Sequence, residues 1–561
     1  MKRRQFAALA AAPLALPAWA TSPAFGPLTE RFLEALWQLD PDAAVAAGRF
    51  EFAGRVTLPT AAQRERARSF CSDWLRRFEA VPEAQLSVSE RMDRAIVIGK
   101  LRSDLWRLGE LREWSWNPAE HNPAAALDLL LNTDYAPLPA RLKALQPRVA
   151  ALPAYYRAAQ ASLAGVTREH TELAIQQAPG VLAVLDDIAK RADEAGQAAA
   201  FKPRLAAARA AVNGYVAHLR QLKPTRGFRL GAALYEPKFR HDIQSARSAR
   251  DTYELAQQRR EEVLASMQAQ AAQLWPTVMG SEPPPSDRFA LIGRVIDKLS
   301  ARHVARERFV DEIRAQIPQL EAWVRDHDLL SQDVSKPLAV RETPEYQRGV
   351  AGASIEAPGP YRPQDKTYYN VTPLDDLTPE EAESSLREYN HWILQILNIH
   401  EAIPGHYTQL VHANRSPSKV KALFGNGAMV EGWAVYGERM MIESGYGASP
   451  EMTLMWGKWH LRSVTNTVLD YSVHVLGMSE ADALDLLVRQ AFQTEREAKE
   501  KWRRVQLTSV QLTSYFSGYS EIFALREQLK ARPGFSLKAF HEQFLGYGNA
   551  PVRLIAAEML G

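Results

Sequence analysis

The chain has 561 residues, 46% of them hydrophobic, enough to bury one large core or several smaller ones. The formal net charge is +3, and Lys2, Arg3 and Arg4 supply the excess. Without them bases and acids are equal in number, which leaves no electrostatic case for nucleic acid or an anionic membrane as partner.

The first twenty residues, MKRRQFAALAAAPLALPAWA, pass from a basic start through an apolar run to Ala18-Trp19-Ala20. This small-x-small ending predicts a cleaved signal over 1–20 and a mature chain beginning near Thr21, periplasmic or secreted. The run is too short and too broken by proline to span a bilayer. Arg3-Arg4 resembles the twin-arginine signal, whose substrates cross folded; an ordinary secretory signal carrying two arginines fits as well. No cysteine follows the cleavage point to take a lipid. The only one, Cys71, excludes an intrachain disulfide and reads as a small buried hydrophobe in ARSFCSDWLRRF.

Residues 21–340 predict a mainly helical N-terminal part. Stretches 141–165, 202–222 and 253–275 place apolar residues three and four apart, and GSEPPPSD (280–287) is a loop. No later stretch is long and apolar enough for a membrane helix. Residues 341–561 predict a second helical part, interrupted at 349–376 by Gly, Pro, Tyr and Thr. Short extended runs there, Ala353–Ala357 and Thr367–Val371, predict a small β element. Thr378, Pro379 and Glu381 then form a helix start with a capping box. The periodic pattern predicts one helix of about six turns running to Pro404-Gly405.

That helix ends in NIHEAIPGHYTQL (398–410). Zinc proteases place two histidines four apart on one helical face. Here His406 follows His400 by six, about 600° of an unbroken helix. Pro404 and Gly405 resolve the mismatch. Proline lacks an N–H and clashes with the carbonyl four residues back, and glycine accepts unusual dihedrals. Looping out two residues brings both imidazoles to one side. Glu401 then stands where the general base of a zinc protease belongs. Downstream, GNGAMVEGWAVYGERMMIESGYG (425–447) offers Glu431 as third ligand from a following helix. Gly432 would let that helix approach the metal. Glu438, seven residues on and within about 20° of the same face, would orient a histidine N–H.

HEAIPGHYTQL with MVEGWAVYGE closely resembles the bacterial family catalogued as domain of unknown function 885, which looks like a divergent group of gluzincin metallopeptidases. YYNVTP (368–373), YFSGYSEIFALREQLK (515–530) and the closing segment 535–560 resemble it too. A more distant likeness is to helical zinc peptidases of the thimet oligopeptidase and angiotensin-converting enzyme type, with a helical cleft and a short β element beside the metal. The resemblance implies a mainly α, zincin-like fold, with zinc held by His400, His406 and Glu431 and with Glu401 as base. It implies Tyr515 and Tyr519 as candidates to stabilise the oxyanion, Asp470 and His474 as an Asp-x-x-x-His pair beside the site, and Asn370 as a substrate contact. Two departures stand out. The family usually has Thr-Gly where Tyr471-Ser472 stand, and often Pro-Gly where Ser509-Val510 stand.

The expected function is an exported zinc-dependent peptidase cleaving short peptides through a zinc-bound water and the Glu401 base. Two other readings fit the same residues: a zinc hydrolase of a non-peptide amide, such as a cell-wall fragment or small metabolite, and a non-catalytic helical binding protein.

Overall fold

The structure is a computed structural model and describes residues 24–333, 335–336, 338–343, 352–362 and 364–561. The expected signal over 1–20 and the first residues of the expected β region, 349–351, lie outside the described residues. The fold is mainly α-helical. One contiguous apolar core runs from Phe25 to Met559, so the N-terminal and C-terminal helices share it. No described helix is long and apolar enough to cross a membrane.

A bundle of long helices, Leu138–Ser162, Arg168–Glu194 and Ala198–Gln221, stands towards the N-terminus. The 31-residue helix Ala249–Met279 links the two halves. It starts at a Ser248 cap whose Asp251 side chain returns the hydrogen bond. It packs along an inner helix, Pro450–Tyr471. Contact is close: a Cβ on Gly457 would sit 2.8 Å from Met267 Cγ. The inner helix is buried almost all round, as a helix surrounded by others must be. Its buried face includes Lys458, His460, Asn466 and Asp470. Cys71 is buried as expected, and loss of water pushes its thiol up to about 12.

The β element is a three-stranded sheet in the order β1-β3-β2. β2 (Ala353–Glu356) and β3 (Thr367–Val371) match the expected extended runs and pair antiparallel. β1 (Leu338–Glu342), which shows no extended-run signal, adds parallel to β3. β3 is therefore central and β2 is an edge, lying against the helix that carries His400.

The single helix expected from Thr378 to Pro404 is two helices, Pro379–Glu388 and the histidine helix His391–Glu401. The break falls at Asn390, whose carboxamide oxygen accepts from the amides of Trp392 and Ile393 and so caps a new helix. The capping box at Thr378 and Glu381 forms as expected.

Candidate metal centre

The histidine helix stops at Glu401, and a new helix begins at His406. Between them Ala402–Gly405 loops out, with a cis Ile403–Pro404 peptide. The Gly405 amide donates to the Ile399 carbonyl at 3.0 Å. Only glycine fits there, because a Cβ would stand 1.9 Å from the His400 carbonyl oxygen. Trp433 Nε1 donates to the Pro404 carbonyl at 2.9 Å and fixes the loop to the glutamate helix, Gly427–Glu443.

The loop sets the two imidazoles side by side, their centroids 4.8 Å apart and their planes nearly perpendicular. Glu431 Oε2 lies 3.7 Å from His400 Nε2 and 3.5 Å from His406 Nε2. Zinc bonds of roughly 2.0–2.1 Å at tetrahedral angles hold donor atoms about 3.4 Å apart, close to both separations from Glu431. Among the described residues these three form the cluster able to hold a metal. Behind them His400 Nδ1 donates to Glu438 Oε1 at 2.7 Å, which leaves Nε2 as the free ligand atom. Glu438 is fully buried and also accepts from Trp459 Nε1 at 3.1 Å.

The charged groups of the cluster shift one another. Burial lowers the proton affinity of His400, but hydrogen bonds to Glu431 and Glu438 outweigh it and raise its pKa well above the usual value. Burial raises Glu431, yet the two histidines hold it well below the usual carboxylate range. Glu401 and Glu438 are both raised, chiefly by burial, with the histidines opposing. Three carboxylates thus face two imidazoles, a negative surplus that a divalent cation would neutralise.

The other expected site residues divide. Tyr515, on the helix Ser514–Lys530, comes to the cluster, its ring nearly parallel to His400 with centroids 6.4 Å apart. Its hydroxyl oxygen accepts from Arg504 Nη2 at 3.2 Å. Tyr519 does not come to it. One turn further on, Tyr519 is buried against His460, and its oxygen accepts from Arg439 at 2.6 Å. Gly432 is also corrected: it brings the glutamate helix onto the tyrosine helix rather than onto the metal, since its Cβ would lie 2.3 Å from the Gly518 carbonyl carbon.

Asp470 and His474 lie elsewhere. His474 is fifteen residues past Trp459, roughly 20 Å along the helix. Its Nε2 donates to the Val505 and Thr508 carbonyls at 2.8 and 2.9 Å, and its ring packs on Phe228 and Tyr235. Asp470 accepts from Tyr235 at 2.6 Å and from the Val510 amide at 2.9 Å. This pair anchors the Val510 turn, with its unusual φ of +70°. Asn370 is corrected as well. It is buried on the central strand, accepts from Arg341 at 2.6 Å and donates to Glu356 at 3.4 Å, so its carboxamide bonds to neighbours within the sheet.

Residues absent from the sequence reading complete the surroundings. Tyr369 donates to Asn398 at 2.9 Å, and Asn398 donates to Gln316 at 2.7 Å, tying the sheet to the histidine helix. Trp459 supports Glu438, and Arg504 meets Tyr515. The Trp-rich MWGKWH segment was a signal for Trp459; Arg504, eleven residues before Tyr515, carries no local signal.

Fold and site define a mainly helical protein with a cluster of two histidines and a glutamate beside a small mixed sheet. The chain belongs to the bacterial family of proteins of unknown function DUF885, whose pattern matches residues 41–559. It is similar to a protein from Shewanella oneidensis provisionally described as a lipoprotein of unknown function. The two are 46% identical over 96% of this chain and 100% of that one, with a TM-score of 0.88. A second such protein, from Colwellia psychrerythraea, is 16% identical over 95% and 98% of the two chains with a TM-score of 0.79, and shares the fold. Comparison with curated proteins gives no match.

Proposed function

We propose that the protein is an exported zinc-dependent peptidase of gluzincin type acting on short peptides. The observation that carries this reading is the convergence of His400 Nε2, His406 Nε2 and Glu431 Oε2, with Glu401 directly after the first ligand. Zinc held there would supply a Lewis acid that polarises a carbonyl and acidifies water. Glu401, whose pKa burial raises, takes a proton from the attacking water and returns it to the leaving amine. Glu438 fixes the His400 tautomer. Tyr515 retains its own O–H to donate to the developing oxyanion, because Arg504 binds it as an acceptor. The edge of β2, beside the histidine helix, offers backbone groups to an extended peptide.

Export is supported by the basic-apolar-Ala-x-Ala start and by the lipoprotein description of the relatives. Cys71 is buried in a helix and offers no lipid attachment point.

The test uses one preparation of the chain and of Glu401→Gln. Zinc content is measured, and digestion of a peptide library is followed by mass spectrometry with and without a chelator. About one zinc per chain is expected in both. Cleavage should be abolished by the chelator and fall roughly a hundredfold or more in Glu401→Gln, mainly in kcat. Near-normal kcat in zinc-loaded Glu401→Gln would remove Glu401 from the mechanism. Cleavage of peptidoglycan stems alone would move the reading to a cell-wall amide.

A further inference from the structure

Behind Tyr515 lies a cluster of charged side chains unbalanced in sign. The inner helix contributes Lys458 and Arg462. The helix Glu495–Leu507 contributes Glu497, Lys501 and Arg504, and Glu388 comes from the end of Pro379–Glu388. The two acids are fully engaged. Glu388 meets Lys458 at 2.9 Å and Arg462 at 3.5 Å. Glu497 meets Arg462 and, at 3.9 Å, Lys501. Crowding with Arg462 and Arg504 adds to burial in holding the Lys501 ammonium well below its usual pKa.

Arg504 stands at the end of this row, half-buried, with Tyr515 between it and His400. It has no carboxylate within ion-pair distance among the described residues. Its Nη2 donates only to neutral acceptors, Gln511 Oε1 at 2.7 Å and Tyr515 Oη at 3.2 Å. The other guanidinium N–H groups have no protein acceptor among the described residues. A guanidinium presents these groups as a planar fork that matches a carboxylate.

We propose that Arg504, positioned by Gln511 and Tyr515, binds a substrate carboxylate, so that the enzyme acts near the carboxyl end of short peptides. The inference rests on the peptidase reading and names its substrate class. From the His400 ring the path runs over the 6.4 Å to the Tyr515 ring, then along the phenol and its 3.2 Å hydrogen bond. Extended peptide covers roughly 3.3–3.6 Å per residue, so the bound carboxylate lies within about four residues of the scissile bond. An aspartate or glutamate side chain at that distance offers the same chemistry as the chain terminus.

The test compares neutral pentapeptides as free acids with the same peptides as C-terminal amides, using the zinc-loaded chain and Arg504→Gln. A third set carries amides with Glu, or Gln as control, next to the terminus. The acids should be cleaved roughly ten- to a hundredfold better in kcat/KM than the amides, the range of a charge-assisted hydrogen bond. Arg504→Gln should erase that preference through KM. Glu-bearing amides cleaved like the acids would assign the carboxylate to a side chain. Equal cleavage of acids and amides by the unaltered chain overturns the proposal, and so does an equal fall in kcat for both in Arg504→Gln, the mark of a residue that only positions Tyr515. Binding of acid and amide to zinc-loaded Glu401→Gln, read by calorimetry, separates the two failures. A preference for the acid without any hydrolysis would sink the peptidase reading and leave the carboxylate site standing.

Discussion

The two faces of the glutamate helix each present polar groups to a histidine, with opposite results. On one face Glu431 and Glu438 meet His400 and His406. On the other, about 140° round from Glu431, Tyr436 meets His541. His541 is saturated: its Nδ1 donates to the Leu329 carbonyl at 2.8 Å, and the Tyr436 hydroxyl donates to its Nε2 at 2.8 Å. It is a neutral core histidine, and burial lowers its pKa to about 4. His400 has one nitrogen committed to Glu438 and the other turned towards Glu431 and His406. Asp470 and His474 also bond to main-chain groups and a tyrosine, through Oδ1 and Nε2, while Asp470 Oδ2 and His474 Nδ1 are buried without a partner among the described residues. A histidine beside a carboxylate is available to a metal only where its neighbours leave a lone pair aimed at a shared point.

The comparison breaks most completely if Pro404 and Gly405 are deleted. The motif would then have four-residue spacing, but everything after residue 403 would turn by about 200°. Zinc content and peptide cleavage should both be lost, while Tyr436 and His541 supply no substitute site. Full zinc in the deletion variant would show the loop to be dispensable.

The neutral face should be visible in acid. Unfolded histidine takes up a proton near 6.5, and folded His541 only near 4. Its contribution is complete above pH 6.5 and is lost as pH falls towards 4, about 3 kcal/mol in all. Buried His460 shifts in the same direction. Thermal melts from pH 7 to 4 should show the decline, and His541→Gln should flatten it; an unchanged slope would contradict the neutral assignment.

Asp470→Ala leaves the Tyr235 hydroxyl and the Val510 amide unpaired, a cost of about 2 kcal/mol. Zinc stoichiometry should not change. Loss of zinc in a folded Asp470→Ala protein would return this pair to the metal site.

Glu438→Gln keeps the shape behind His400 and removes the charge. Metal affinity should fall roughly 10–100-fold with little change in melting temperature. Unaltered affinity by competition with a chelator would make Glu438 a packing residue only.

The smallest effect is expected at Val510. A β-branched residue at φ +70° carries strain of order 1–3 kcal/mol, which glycine would release. The valine side chain is fully buried, and losing it costs roughly 1.5–3 kcal/mol. The two terms nearly cancel, so Val510→Gly should stay within about 1 kcal/mol of the parent in denaturant unfolding.

The helical class, two of the three strands, the grouping of His400, His406 and Glu431, and Glu438 behind it can all be read from the chain. These were legible because the causes are local: 3.6-residue periodicity, a capping box at Thr378, and a proline-glycine pair that cannot continue a helix. Two glutamates seven apart share a face whatever surrounds them. The rest depends on how the helices pack. Asn390 ended one helix and capped the next, although periodicity runs through it. Tyr515 reached the cluster and Tyr519, on the same helix, did not, because the Gly432–Gly518 contact fixes how two helices cross. Arg504 gained its place at the site by packing against Tyr515, and Asp470 and His474 lost theirs to backbone partners far away in the chain. Spacing along the chain sets which way a side chain leaves its helix, but what it meets depends on where the other helices lie.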